Sequence, residues 1–476
     1  MTITPETLFE EAERLEAVAA KATWKPYPDY RETPIDILKR VPSRWRVQRL
    51  KTVADIQFSN VDKKSEEDEQ PVHLCNYVDV YYHDRITSDI EFMEATALPR
   101  EIAKFQLSIG DVLVTKDSED PNDICVPAVV VEALPGVLCG YHLAQIRPKP
   151  SDAYGPYLSY AFGATGVRDQ FRRRANGITR FGLSQDAICS AAFPLPPLPE
   201  QQAIAAFLDR KTREIDELIE KKRRLIELLQ EQRTALISHA VTKGLNPDAP
   251  MKPSGIDWLG DVPEHWPVAP VYSRYSVELG KMLDAKRITG DHLLPYLRNV
   301  DVRWDRVNVH DLPEMDIAER EYERFTLMAG DLLICEGGEV GRAAFWRDEL
   351  PRCAYQKALH RLRPLDHERD NPRFLFFVMY AASKGGVFIA GGNPNTIPHL
   401  TGEKLRVYRF AYPPRTEQDA IVSRLDQATE QLDRVCELAE AVIGRLSEYR
   451  QTVISAAVTG KIDVREASAG KESSDG

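Results

Sequence analysis

Two kinds of hydrophobic pattern run along the chain, and each kind occurs twice. Short alternating or continuous apolar runs, among them VHLCNYVDVYY, DVLVT and VPAVVVEAL, are bounded by Gly, Pro and Asp and predict strands. The segments YGPYLSYAFG and PRFLFFVMYAAS predict helices late in each mixed stretch. A proline-rich approach (Pro194, Pro196, Pro197, Pro199) then stops preceding structure, and Glu200 opens a proline-free run to Thr242 with Gly244 as its C-cap. Steps of four and three residues from Ile204 meet Leu208, Ile215, Leu218, Leu225, Leu229 and Leu236, interrupted by Lys211, Lys222 and Gln232. The same ladder from Ile421 meets Leu425, Ala428, Leu432, Val435, Ala439, Val442, Leu446, Tyr449 and Val453 without interruption. Sustained heptads of this kind predict a coiled-coil seam, on helices roughly 60 Å long at ~1.5 Å per residue. The other reading open here is two amphipathic helices, each lying on its own domain.

The duplication is visible in the residues themselves. Ile35-Asp36-Ile37-Leu38, Val41-Pro42 and Trp45 recur 221 residues later as Ile256-Asp257-Trp258-Leu259, Val262-Pro263 and Trp266. FQLSIGDVLV (105–114) recurs as FTLMAGDLLI (325–334), and Ala144-Gln145-Ile146-Arg147-Pro148 as His360-Arg361-Leu362-Arg363-Pro364. AFPLPPLPEQQAIAAFLD is answered by FAYPPRTEQDAIVSRLD, and RTALISHAVT by RQTVISAAVT. An ordered series at a nearly constant offset predicts a duplicated α+β unit: two tandem mixed domains, each followed by a long helix. If the helices pair about a two-fold axis they run antiparallel. The predicted divisions are an N-terminal helix over 1–24, a first mixed domain over 25–199 and a helix over 200–250. A second mixed domain over 251–414, a distal helix over 415–465 and a disordered tail over 466–476 follow.

Composition changes this picture little. At 43% hydrophobic and 28% charged, the 476 residues are those of a soluble multidomain protein. No apolar run approaches the ~20 residues of a membrane span. The first twenty residues lack the basic start of a signal peptide, so a cytoplasmic protein is expected. Seven scattered cysteines at no zinc spacing read as isolated thiols. The net charge of -11 conceals an asymmetry. Gly140–Arg180 carries seven Lys/Arg against two acids, and Arg352–Arg415 carries eleven against four. Acidic runs such as DKKSEEDE (62–69) outweigh them in the sum, so net charge does not exclude nucleic acid.

The IDxLxxVPxxW opening, the GDVLVT…CGYHLAQIRP and GDLLIC…YQKALHRLRP blocks, and the PxxEQxxI start of each helix resemble the specificity subunit of type I restriction-modification systems. The resemblance covers roughly residues 25 to 465. It implies two target-recognition domains, each reading one half of a bipartite, asymmetric site on double-stranded DNA, with the helices as spacer. It further implies methyltransferase subunits and a translocase-nuclease subunit as partners that supply the chemistry, with no cofactor on this chain. Two alternatives stay open: a specificity subunit of a methylation-only system, and a coiled-coil scaffold whose mixed domains bind proteins.

The residues agree that chemistry is absent. There is no Walker A sequence, no N-P-P-[YF] and no carboxylate cluster of nuclease type. Arg and Asn read base edges bidentately and surplus Arg holds phosphates. FRRRANGITRFGLS therefore nominates Arg172, Arg173, Arg174, Asn176 and Arg180 for DNA contact, with a solvated helix end as the alternative. The matching stretch of the second repeat nominates Asn393, Asn395, Thr396, His399 and Lys404, and the basic alternation Lys357, Arg361, Arg363 forms a further group. Trp45 and Trp266 are expected to anchor each domain to its core.

Overall fold

A computed structural model describes residues 25–35, 38–283, 289–389 and 399–465. The expected N-terminal helix, the tail, and Asn393, Asn395 and Thr396 lie outside the described residues. The described residues fall into two compact units: one joins 25–223 to 440–465, and the other spans Arg224–Ala439. The division therefore cuts both long helices, Leu198–Lys243 and Arg415–Val458, in their middles.

In the first unit the central sheet has five strands in the order Ala54–Phe58, Leu143–Pro148, Val112–Thr115, Pro127–Val130, Arg85–Ile86. All neighbours are antiparallel except the last pair. The strand Val112–Thr115 is buried along its whole length because the sheet is covered on both faces. Alternation sends Val112 and Val114 to a core shared with the helices Gly155–Gly163 and Thr165–Arg172. Leu113 goes to a second core under the three-stranded sheet Val137–Cys139, Gln70–Cys75, Met93–Ala97. The second unit repeats the plan with four strands: Tyr275–Leu279, Leu359–Pro364, Leu332–Cys335, Ala343–Phe345. Leu332 and Ile334 face the helical core that holds Pro372–Lys384, while Leu333 and Cys335 face the other side.

One strand expectation is corrected. VHLCNYVDVYY is a strand only through Cys75; Tyr77–Tyr82 is a helix, begun where the backbone N–H of Asn76 donates to the Asp79 carboxylate at 2.6 Å. That local bond satisfies a donor at the helix start and outweighs the β-branched and aromatic run.

The repeated motifs turn out to be joints. Trp45 is buried and donates Nε1–H to Glu200 at 3.1 Å, and Trp266 does the same to Glu417 at 3.1 Å. The next residue is a fully buried glutamine in both units. Gln201 accepts from Tyr154 N at 2.8 Å and donates to the carbonyls of Asp152 and Pro196. Gln418 accepts from Asn371 N at 2.8 Å and donates to the carbonyls of Arg369 and Pro413. A buried amide is stable only when satisfied in this way. The helix-end glycines complete each joint: Gly244 (φ +77°) lies against Trp266 and Glu417, and Gly460 (φ +72°) lies against Pro42 and Trp45. So the tip of the distal helix closes the first unit as the tip of the central helix closes the second.

Within each unit, segments of the two long helices run antiparallel. In the first, Ile204 and Leu208 share a core with Val453–Val458, while Ile215 and Ile219 meet Val442 and Leu446, with Leu218 packed alongside. Arg450 binds Asp216 at 2.9 Å across this pairing. In the second, Arg233 is paired with Asp433, Ile237, Ala240 and Val241 join the core that holds Ile421 and Leu425, and Leu236 packs against it. Val435 and Val453 are buried, whereas Leu225, Leu229 and Leu432 are half-buried. The buried stripe of the central helix passes Thr212 and Ile219, not Lys211 and Leu218. Ile204, Leu208, Ile215 and Lys222 stay on the predicted ladder, and the buried stripe steps by four residues from Leu208 to Thr212 and from Ile215 to Ile219. Among the described residues no helix is long and apolar enough to cross a membrane.

Candidate nucleic-acid interface

The Gly-Asp of the duplicated block is a clamp. Asp111, buried, accepts from the backbone of Ser108 at 2.9 Å, from Gln145 at 2.7 Å, and from both Nε and Nη2 of Arg147 at 2.8 and 2.7 Å. Asp331 accepts from Met328 N at 2.8 Å and from Nε and Nη2 of Arg363 at 2.5 and 2.8 Å. Arg361 is buried and spends its Nη1 on the carbonyls of Glu323 and Thr326, at 3.0 and 2.9 Å. The basic alternation nominated for DNA contact is therefore turned inward at Arg361 and Arg363. Only Lys357 of that group is exposed.

In the first domain a small sheet stands at the end of the central one. Asn176–Gly177 and Phe181–Gly182 form a hairpin, and the second strand pairs with Asp117–Ser118. The basic run lies beside it. Arg172 ends its helix with Asp169 at 3.6 Å, and Arg173 borders an open depression of about 720 Å³ with Lys39, Arg40, Asp169 and Lys461. Arg174 donates to Ser190 at 2.5 Å, and Asn176 donates to the carbonyl of Arg174 at 3.1 Å. Arg180 reaches across to Asp117, which also takes His142 Nδ1 at 2.5 Å. All five residues nominated here are exposed and lie within one short stretch of surface chain.

Several residues of this end were not nominated from sequence. Lys116 lies over the Tyr141 ring at 5.2 Å, and its partial burial holds its pKa below the usual lysine range. Tyr81 is bonded to Asp123, which pushes its hydroxyl up to about 12. Tyr77 and Tyr81 stack at 5.5 Å. For Lys116 and Tyr141 a signal was present, because TKDSEDPND and CGYH are where the two repeats stop matching; Tyr77 and Tyr81 lie in neither segment. The local field is mixed, since Glu119, Asp120 and Asp123 stand in the same loop as Asp117.

The second domain repeats two of the backbone bonds of this end with other side chains. Leu183 N donates to the Lys116 carbonyl at 2.8 Å, and Leu400 N to the Glu336 carbonyl at 2.8 Å. Lys116 N donates to the His142 carbonyl and Glu336 N to the Ala358 carbonyl, both at 3.0 Å. Lys116, Asp117, Tyr141 and His142 thus correspond to Glu336, Gly337, Lys357 and Ala358. His399 and Lys404 are exposed; a side chain added at Gly337 would come 3.2 Å from His399 Nδ1. Beneath them His360, at the place of Ala144, is buried with Nε2 against the Leu400 carbonyl at 2.9 Å, and burial lowers its pKa.

Among the described residues no group of three or more His, Cys, Asp or Glu is placed to hold a metal ion. Burial pushes the Cys335 thiol up to about 11, and the buried thiols of Cys75, Cys125, Cys139 and Cys353 are also raised. These are packed groups and not nucleophiles.

Comparison with known proteins agrees with this architecture. A specificity subunit of a putative type I restriction enzyme, MjaX of Methanocaldococcus jannaschii, is 23% identical over 446 residues, covering 89% of this chain and 95% of its own. The EcoKI specificity subunit of Escherichia coli K12 is 20% identical over 439 residues, covering 89% and 90%. Among solved structures, a chain from a study of type I R-M complex assembly and conformational transition superposes with a TM-score of 0.67 at 16% identity. It covers 89% of this chain and 99% of that one. The HsdS subunit of Thermoanaerobacter tengcongensis gives 0.50 at 17% identity, covering 89% and 98%. Residues 42–228 and 282–440 match the family described as type I restriction modification DNA specificity domain, and the chain belongs to that family as a specificity subunit.

Proposed function

We propose that each mixed domain reads one half of a bipartite, asymmetric DNA sequence and that the paired long helices fix the spacing between the halves. The observation that carries this reading is the pair of backbone bonds matched at the two loop ends and bearing unrelated side chains, Lys116-Asp117 with Tyr141-His142 against Glu336-Gly337 with Lys357-Ala358. One frame with two side-chain sets suits two different half-sites on one duplex. Arg172, Arg173, Arg174, Asn176 and Arg180 would face the first half-site. Lys357, His399 and Lys404, together with Asn393, Asn395 and Thr396, would face the second. Arg361 and Arg363 act from behind as frame. Methylation and cleavage belong to methyltransferase and translocase-nuclease subunits that this chain directs within the cytoplasm.

Long-read methylome mapping of the host with and without the gene tests this. Loss of one bipartite methylated sequence is expected, and an unchanged methylome would overturn the reading. Removing seven residues from both long helices shortens each by ~10.5 Å, or about three base pairs at ~3.4 Å each. The spacer should contract while both half-sites persist; a changed half-site would refute the spacer role.

A further inference from the structure

The hairpin of the first domain is fixed more firmly than its length requires. Gly177 adopts φ +155°, and a Cβ there would overlap the Arg180 carbonyl, so the turn closes only on glycine. Arg180 is anchored to Asp117, and Asp117 to His142, which ties the turn to the body of the domain. Ile178 is left at the tip of this braced turn. It is 93% exposed, the highest value of any large apolar residue among the described residues. Turns favour Gly, Asn, Asp and Ser, and nothing in the hairpin needs an isoleucine. Left in water, it forgoes the burial that a large apolar side chain ordinarily gains.

What covers it follows from its neighbours. Arg172, Arg173 and Arg174 lie within six residues of the tip and are exposed, so the partner is anionic. A two-stranded ribbon fits the DNA major groove, about 12 Å wide. The apolar group on the base edges there is the thymine C5-methyl.

We infer that Ile178 is a specificity-determining residue of the first domain: the hairpin 176–182 enters the major groove and Ile178 packs against one thymine methyl. This rests on the DNA reading proposed above. Asn176 and the arginines set the hairpin on the backbone, and the braced turn holds the isoleucine at one base pair. A polar residue at the tip would leave that position unread.

The test uses the full complex with its methyltransferase subunits and a duplex carrying the mapped site. Each thymine of the site is replaced in turn by deoxyuridine, which removes only the methyl. For the natural chain one replacement, in one half-site, should weaken binding about fourfold, the equivalent of ~0.8 kcal/mol for one buried carbon. Ile178→Ser should weaken binding to the thymine duplex by a similar factor and make it indifferent to that replacement. Because Ile178 contacts no core, the variant should melt with the natural chain. Indifference of the natural chain to every replacement, or a uridine effect that persists in Ile178→Ser, overturns the assignment. So does a variant that loses binding to phosphatidylserine vesicles and keeps its DNA preference. If the natural complex methylates no particular sequence, the DNA reading itself fails, and that is seen before any variant is made.

Discussion

The two recognition domains make the same bonds at their joint and their clamp, and at one loop end they carry different side chains on matched backbone bonds. At the joint, Trp45–Glu200–Gln201 and Trp266–Glu417–Gln418 make the same bonds. At the clamp, Asp111–Arg147 and Asp331–Arg363 do so again. At the loop end the matched bonds run from backbone N–H to backbone carbonyl, Leu183 to Lys116 and Leu400 to Glu336. A backbone bond is blind to the side chain it carries, so the frame survives while Lys becomes Glu and His becomes Ala. A reader built this way changes what it presents without changing its fold.

Breaking the joint should have the largest effect. Trp45→Ala and Trp266→Ala should each destabilise their own unit by about 3–5 kcal/mol, with hydrogen exchange reporting which unit opens. Unequal costs would mean that the joints are not equivalent. The clamp comes next. Asp331→Asn strands a more enclosed arginine than Asp111→Asn does, so it should cost more, within about 1–3 kcal/mol in denaturant unfolding. A larger loss from Asp111→Asn would reverse that ranking.

Arg172, Arg173 and Arg174 changed together to Ala should weaken DNA binding and make the plot of log affinity against log salt shallower, by about 0.9 for each phosphate no longer neutralised. Half-site preference should be retained. An unchanged slope would remove this stretch from the interface. The smallest effect concerns pH. His360 is held neutral by burial, so its folded pKa lies below the unfolded one, and the folded state binds fewer protons. The second unit should therefore lose stability as pH falls below about 6.5, whereas His360→Ala, the residue of the first domain, should lose that dependence. Thermal melts of both proteins across that range decide it.

Much of the frame was legible because its signals are local or repeated. The duplication, the two long helices, the Gly244 cap and the tryptophan anchors all come from residues read along the chain. The five residues nominated in the first basic loop, Arg172, Arg173, Arg174, Asn176 and Arg180, are close in sequence and exposed. The other basic group was not legible. Arg361 and Arg363 have the spacing of an exposed strand face, but their acceptors lie at Glu323, Thr326 and Asp331. The helix ladder was right in kind and one position off in phase at Thr212 and Ile219. Ile178 was passed over because one apolar residue in a polar turn has no periodicity to mark it.

By itself the sequence determined that the molecule is one unit made twice, ending each time in a helix that needs a partner. Periodicity and capping act over a few residues, so they are written where they act. Only the tertiary structure decided which charges face outward and which are spent inside, because Arg361 and Arg363 are clamped by acceptors more than thirty residues away. It also decided that each domain is finished by the tip of a helix other than the one it launches, since an apolar stripe specifies that it will be buried and not against what.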